Sequence, residues 1–238
     1  MRVIGVDACR RGWVAVSLEV SRLPRRAPRL VAVRMDRSLV SVLDRADCGP
    51  ARVVGIDMPL GLLESGWREA DRVARGLLGP RRSSVFAIPP RSVWAEVSYP
   101  AANRLCRELT GQGFSVQAWG LRAKLLEANQ YLEACEHPMY EVHPELAFGA
   151  MAGAPLGCSK HTAAGRELRR ELLARAGIVL PASSSGNVPC GTGSPPVTDT
   201  LDAAAVAWSA GRIAAGQAII LPDRPQRDSR GRQITIRY

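Results

Sequence analysis

Two aspartates in this sequence each close a short apolar run, and their repetition is the first sign of chemistry. Val3, Ile4 and Val6 lead into Asp7, and the run Arg52–Asp57 (RVVGID) ends in Asp57. A carboxylate at the end of a buried strand is held rigidly and opens onto the sheet edge, where sites are commonly built. If the two strands pair in parallel, Asp7 and Asp57 lie side by side. Like charges that close repel unless a cation lies between them, so the pair asks for a divalent metal. Each aspartate alone also has a plainer reading, as a turn residue.

Further acids follow. Glu141-Val142-His143-Pro144-Glu145 is the densest cluster of ionisable groups in the chain. Alternation along a strand over Met139–Val142 puts Glu141 and His143 on one face. Burying Glu141 unpaired in so short an apolar strand would be costly. His143 and Glu145, taken alone, read as a helix cap and a surface charge. Asp199 and Asp202 are three residues apart and share a helical face. They are either acids favoured by the helix dipole in a first turn, or, because the helix is otherwise alanine-rich and apolar, groups turned toward the strand ends. Arg81, Arg82, Ser83, Ser84 and Arg91 form a basic segment that suits phosphates or simply faces solvent. Gly153–Lys160 has the wrong spacing for a phosphate-binding P-loop.

The elements that must carry these groups are legible in outline. Met1–Val20 reads as a hairpin, and Leu30–Met35 as a third strand. A helix is expected over Ser38–Ala46 and a fourth strand over Arg52–Asp57. Residues 64–117 form a partly irregular insertion, with helices expected over Arg68–Leu78 and Ser98–Leu109. The spacing of Leu121, Leu125 and Leu132 predicts one amphipathic helix over Gln117–Cys135. A helix follows Pro144, another spans about Ala163–Ala176, and a last one runs from Thr198 to about Gln217. Pro181–Val197, rich in Ser, Gly and Pro, is expected to be a mobile loop. Gln233–Arg237 is expected to be an edge strand or a tail.

Composition bounds the possibilities. A chain of 238 residues can bury one sizeable core. Its 46% hydrophobic and 23% charged residues are those of an ordinary globular protein. A net charge of +10 and a pI near 10.0 point to a polyanionic partner. Lys124 and Lys160 are the only lysines, and arginine's bidentate fork suits phosphate. Six scattered cysteines without a C-x-x-C pair argue against a zinc ribbon or disulfide framework. Asp7, Arg10 and Arg11 interrupt any signal-peptide core. Asp202, Arg212 and Gln217 break the longest apolar stretch, Leu201–Leu221, so a membrane span is not expected. A cytoplasmic protein is expected.

Asp7, Asp57, Glu141 and the Asp199/Asp202 pair fall on strand, strand, strand and helix. This layout resembles the ribonuclease H-like fold, and the D-x-x-D-A helix resembles its Holliday-junction resolvase branch. Across nearly the whole chain, VIGVDACRRGW, GIDMPLGL, RRSSVFAIPPR, GQGFSVQAWGL, YEVHPELAF, SKHTAAGR and DTLDAAAVAW resemble the DUF429 family. That bacterial and archaeal family is described as predicted RNase H-like nucleases. Ala8 and Arg11 depart from the glycines common there, which stiffens the first turn without removing Asp7.

The resemblance implies an α/β protein, a single ribonuclease H-like domain over residues 1–238 with a mixed five-stranded sheet flanked by helices. It further implies a hydrolase that cuts phosphodiester bonds of DNA or RNA by a two-metal mechanism. Asp7 would bridge two Mg2+ or Mn2+ ions about 3.5–4 Å apart. Asp57, Glu141 and Asp202 would complete the ligand set, with Asp199 as a further ligand or orienter. Lys160 and Arg166 would hold the substrate phosphate, and His143 would shuttle protons. Two other functions compete. An actin- or sugar-kinase-like phosphotransferase needs nucleotide-binding glycine loops and usually two such cores. A non-catalytic nucleic-acid- or protein-binding module on the same fold would not need its carboxylates to converge.

Overall fold

The hairpin that begins the chain is formed by β1 (Arg2–Cys9) and β2 (Gly12–Glu19), antiparallel from Arg2↔Glu19 to Cys9↔Gly12. The turn needs a glycine at position 12, because its φ is +150° and a Cβ there would lie 1.9 Å from the Asp36 carbonyl oxygen. The computed structural model describes residues 1–21, 27–44, 53–134, 138–181 and 194–238. The expected mobile loop falls outside the described residues over 182–193.

Strand β3 (Arg29–Asp36) pairs antiparallel with β2, and α1 (Leu39–Asp44) carries the chain across to β4 (Val53–Asp57). β4 runs parallel to β1 in the register Val3↔Val53 through Asp7↔Asp57, and β5 (Met139–Val142) runs parallel to β4 on its other side. The order β3-β2-β1-β4-β5, with β2 antiparallel, is the expected ribonuclease H-like arrangement. The sheet has seven strands rather than five. β6 (Ile220–Leu221) and β7 (Ile236–Arg237) extend it beyond β5, with β7 parallel to β5. Two-residue strands are too short to leave a periodic pattern, which is why the sequence showed one edge strand at most.

β1 and β4 are apolar because both their faces are covered. On one face, Val3 and Val53 pack with α6 (Pro144–Ala152), α7 (Ala163–Arg175) and α8 (Val197–Ala214) through Phe148, Leu172, Leu173 and a run of buried alanines. α8 lies directly on β1. A Cβ at Gly5 would stand 2.1 Å from the Ala207 nitrogen and 2.2 Å from the Ala203 oxygen. On the other face, Ile4, Val6, Val54 and Ile56 pack with Leu39, Trp94, Leu125 and Ala128.

The insertion supplies much of that second face. It holds α2 (Glu69–Leu78), two 3-10 turns (Gly79–Ser84 and Arg91–Ala95), α3 (Tyr99–Thr110) and α4 (Val116–Gly120). Ser98 and Ser115 cap α3 and α4 by accepting from the Ala101 and Ala118 amides. The single helix expected over Gln117–Cys135 is broken in two, with α5 (Arg122–Ala134) following α4. At the break, the Leu121 amide bonds the Ala118 carbonyl in a tighter turn. Gly120 weakens the helix there, while Trp119 stacks on Trp94 and Arg122 donates to the Trp94 carbonyl. α5 is tied back to the hairpin by Glu127, which accepts from Trp13 Nε1 (2.9 Å) and from the Leu39 amide (2.6 Å).

Candidate active site

Parallel pairing of β1 and β4 puts Asp7 and Asp57 at the same level of the sheet, on the face that carries α8. Their carboxyl groups are close enough to act directly on one another. Burial pushes Asp7 well above the usual carboxylate range, the nearby Asp57 and Asp202 charges add to this, and Lys160 opposes it. Burial also raises Asp57, against the pull of His143 and Lys160.

Asp202 enters from the second turn of α8. It is 1% exposed, and burial pushes it up to about 6 despite an ion pair with Lys160. Lys160 Nζ lies 2.5 Å from Asp202 Oδ2, while Asp202 Oδ1 has no hydrogen-bond partner. Burial disfavours the Lys160 ammonium, but Asp202, Asp7 and Asp57 outweigh it and hold its pKa above the ordinary lysine value. Asp199, one turn earlier on α8, is half-buried and accepts from the Thr198 hydroxyl. Burial raises it too, with Lys160 opposing.

Glu141 is not gathered with these acids. It pairs with Ile56, one residue out of step with Asp57, so alternation turns it to the opposite face. There it accepts from Arg68 Nη2 (2.5 Å) and from the Leu60 amide (2.7 Å). Arg68, 0% exposed at its side chain, also faces Asp71 at 3.5 Å, and Asp71 accepts from the Ile88 amide. Burial raises Glu141 to about 7, with Arg68 opposing and Asp71 adding. Glu141 therefore pairs with Arg68 on the other face of the sheet, while it and Asp71 still line the cavity that Asp7 and Asp57 open onto.

Glu145 is buried at the first turn of α6, not on the surface. Its Oε1 accepts from Arg169 Nη2 at 2.5 Å, its Oε2 has no partner, and its charge acts on both Asp57 and Asp202. The sequence did hold a signal for it. Arg169 stands four residues after Gly165 and three before Leu172, on the buried stripe of α7, where an arginine needs a buried acid.

Above the acids opens a cavity of about 470 Å3, lined among others by Asp7, Asp57, Asp199, Lys160, His143 and Arg81. His143 Nε2 contacts the Ser84 carbonyl at 3.2 Å, and the buried Nδ1 has no partner. Ser84 lines the cavity. Arg81 donates to the Gly157 carbonyl (2.7 Å) and joins the turn to the segment between α6 and α7. The other basic candidates lie apart. Arg82 is exposed, Arg91 pairs with Glu64 (3.2 Å), and Arg166 donates to the His161 carbonyl (2.8 Å).

The donor set fits a hard divalent cation. Asp7, Asp57 and Asp202 offer only oxygen, and two buried carboxylate oxygens, Asp202 Oδ1 and Glu145 Oε2, await a partner. Among the described residues, no three His, Cys, Asp or Glu side chains already stand in ligand geometry. Lys160 holds the other oxygen of Asp202.

A family model described as "Protein of unknown function (DUF429)" matches residues 5–227. No curated protein matches the chain. Among the solved structures similar to it are two that each match over 91% of this chain and 98% of the other. A Thermus thermophilus RuvC structure shares 14% identity at a TM-score of 0.41. T. thermophilus RuvC in complex with Holliday junction substrate shares 12% identity at 0.42. Among the described residues, no helix is long and apolar enough to cross a membrane.

Proposed function

The chain belongs to the DUF429 family, and we propose that its site makes it a divalent-metal-dependent hydrolase of phosphodiester bonds in nucleic acid. One observation carries the reading. Asp7, Asp57 and Asp202 meet toward the carboxyl ends of β1 and β4, Asp7 and Asp202 buried and Asp57 partly so, with Asp202 Oδ1 free of any partner. Such a convergence has no use in a passive binding module and costs stability without a cation.

Asp7, Asp57 and Asp202 would hold Mg2+ or Mn2+, with Glu145 Oε2 the further oxygen nearest in kind. A bound ion lowers the pKa of a coordinated water and neutralises charge on the phosphate. The chain's own groups supply the rest. With Nε2 donating to the Ser84 carbonyl, His143 presents Nδ1 as an acceptor for a proton released in the cavity. Arg81, at the cavity lining, is placed to meet a phosphate oxygen. The net charge of +10 draws the polyanion in.

Single-stranded, duplex and junction forms of DNA and RNA, incubated with Mn2+ or Mg2+, test the proposal. Cleavage by the wild type and its loss in Asp7→Asn are expected. No cleavage across the panel, or equal cleavage by Asp7→Asn, refutes it.

A further inference from the structure

The Asp202 carboxylate already has a cation, and it belongs to the protein. We infer that Lys160 is a built-in cation filling one of the two positive positions of the carboxylate cluster, so that the chain takes a single divalent ion. The inference rests on the metal-dependent reading above and changes its stoichiometry.

Charge balance supports it. Ionised Asp7, Asp57 and Asp202 carry three negative charges, Lys160 cancels one, and a single divalent ion balances the remaining two, which leaves half-buried Asp199 as the one further negative charge at the cavity wall. A second divalent ion would leave the cluster positive and would have to displace an ammonium 2.5 Å from Asp202 Oδ2. Lys160 acts on Asp7, Asp57 and Asp199 as well as on Asp202, as an ion at the centre of the group would.

The loop that carries Lys160 is built to hold it still. The Thr162 hydroxyl donates to the Ser159 carbonyl (2.8 Å) and accepts from the Gly165 amide (3.0 Å), capping α7. Arg166 binds the His161 carbonyl and Arg169 the Cys158 carbonyl. A Cβ at Gly165 would stand 1.9 Å from the Ser159 oxygen, so the loop lies directly on the helix. Lys160 turns to Asp202 within the cavity, and its side chain is 34% exposed.

Calorimetric titration of the metal-free protein with Mn2+ reads the stoichiometry without requiring activity. Wild type and Lys160→Arg should bind one ion per chain. Lys160→Met should bind two, or bind its first at least about ten-fold more tightly, because a like charge has left the site. In EDTA, Lys160→Met should melt below wild type, and saturating Mn2+ should narrow the gap. Two ions on the wild type overturn the inference and leave the metal reading standing. Unchanged stoichiometry and affinity in Lys160→Met also overturn it, as does a melting gap that Mn2+ does not narrow. Absence of Mn2+ binding at millimolar concentration in wild type overturns both. The wild-type count decides the matter even if Lys160→Met fails to fold.

Discussion

Replacing Gly5 by alanine should damage the fold and the carboxylate cluster together. The added Cβ would lie 2.1 Å from the Ala207 nitrogen and 2.2 Å from the Ala203 oxygen, both backbone atoms that no rotamer change can move. Ordinary contacts are about 3.5 Å, so α8 must back away from β1 by more than about 1 Å. Ala203, Ala204, Ala205, Ala207 and Ala210 are all fully buried against this interface, and the retreat would loosen each of them. Overpacking of this kind costs about 3 kcal/mol or more. For a chain of this size, that lowers Tm by about 6–12 °C. Asp202 rides on the same helix, next to Ala203, so the retreat also draws it away from Asp7. Differential scanning calorimetry in EDTA and in Mn2+ reads both effects: a lower Tm, and a smaller rise on adding metal. Gly76→Ala is the control, because a Cβ there meets nothing within 4 Å and the helix interior favours alanine. A Gly5→Ala protein melting within about 2 °C of wild type would refute the reasoning. So would one that is destabilised but keeps the full metal response, since the close approach would then not set the spacing of the acids.

Asp7→Asn should melt higher than wild type in EDTA, because it removes a buried charge repelled by Asp57 and Asp202, and should lose most of the Mn2+-induced shift. Arg68→Met should cost about 3–5 kcal/mol at neutral pH by stranding Glu141 and Asp71, as urea unfolding would show. Burial raises Glu141 from the ordinary glutamate value of 4.5 to about 7. Its contribution to stability is therefore full below about pH 4 and lost as pH rises through 7, by on the order of 3 kcal/mol. Glu141→Gln should flatten that part of the metal-free stability profile, and an unchanged profile would assign the titration elsewhere. Nucleic-acid binding should weaken steeply with salt, with a slope in log affinity that shrinks in Arg81→Ala if Arg81 meets phosphate.

Asp7 and Asp57 were legible because each closes an apolar run, and a buried parallel strand announces itself by such a run. Asp199 and Asp202 were legible from their helical spacing on an alanine-rich helix. Glu141 was misplaced for a definable reason: alternation orders residues within β5, but only its pairing with β4 decides which face is which. Glu145 reads as a surface charge and Arg68 as an ordinary helix residue because each takes its meaning from a partner distant in sequence, Arg169 and Glu141 respectively. Lys160 stood out as a residue type, yet its inward direction depends on how the loop lies against Gly165. The division of Gln117–Cys135 into two helices follows from Trp119 and Arg122 engaging Trp94, a tertiary preference that overrides a continuous apolar spacing.

The half-step between Glu141 and Asp57 also bears on how this scaffold can change. Point substitutions cannot carry the Glu141 carboxylate across the sheet, but a one-residue insertion or deletion that shifted β5 against β4 would do so at a stroke. It would bring a third strand-borne acid, after Asp7, beside Asp57 and leave Arg68 without its partner. The scaffold thus holds a carboxylate at the cavity wall, one register step from the face of Asp57. Length variation ahead of β5 is therefore the kind of genetic change most able to rewire the centre, and the Arg68 network is what penalises it.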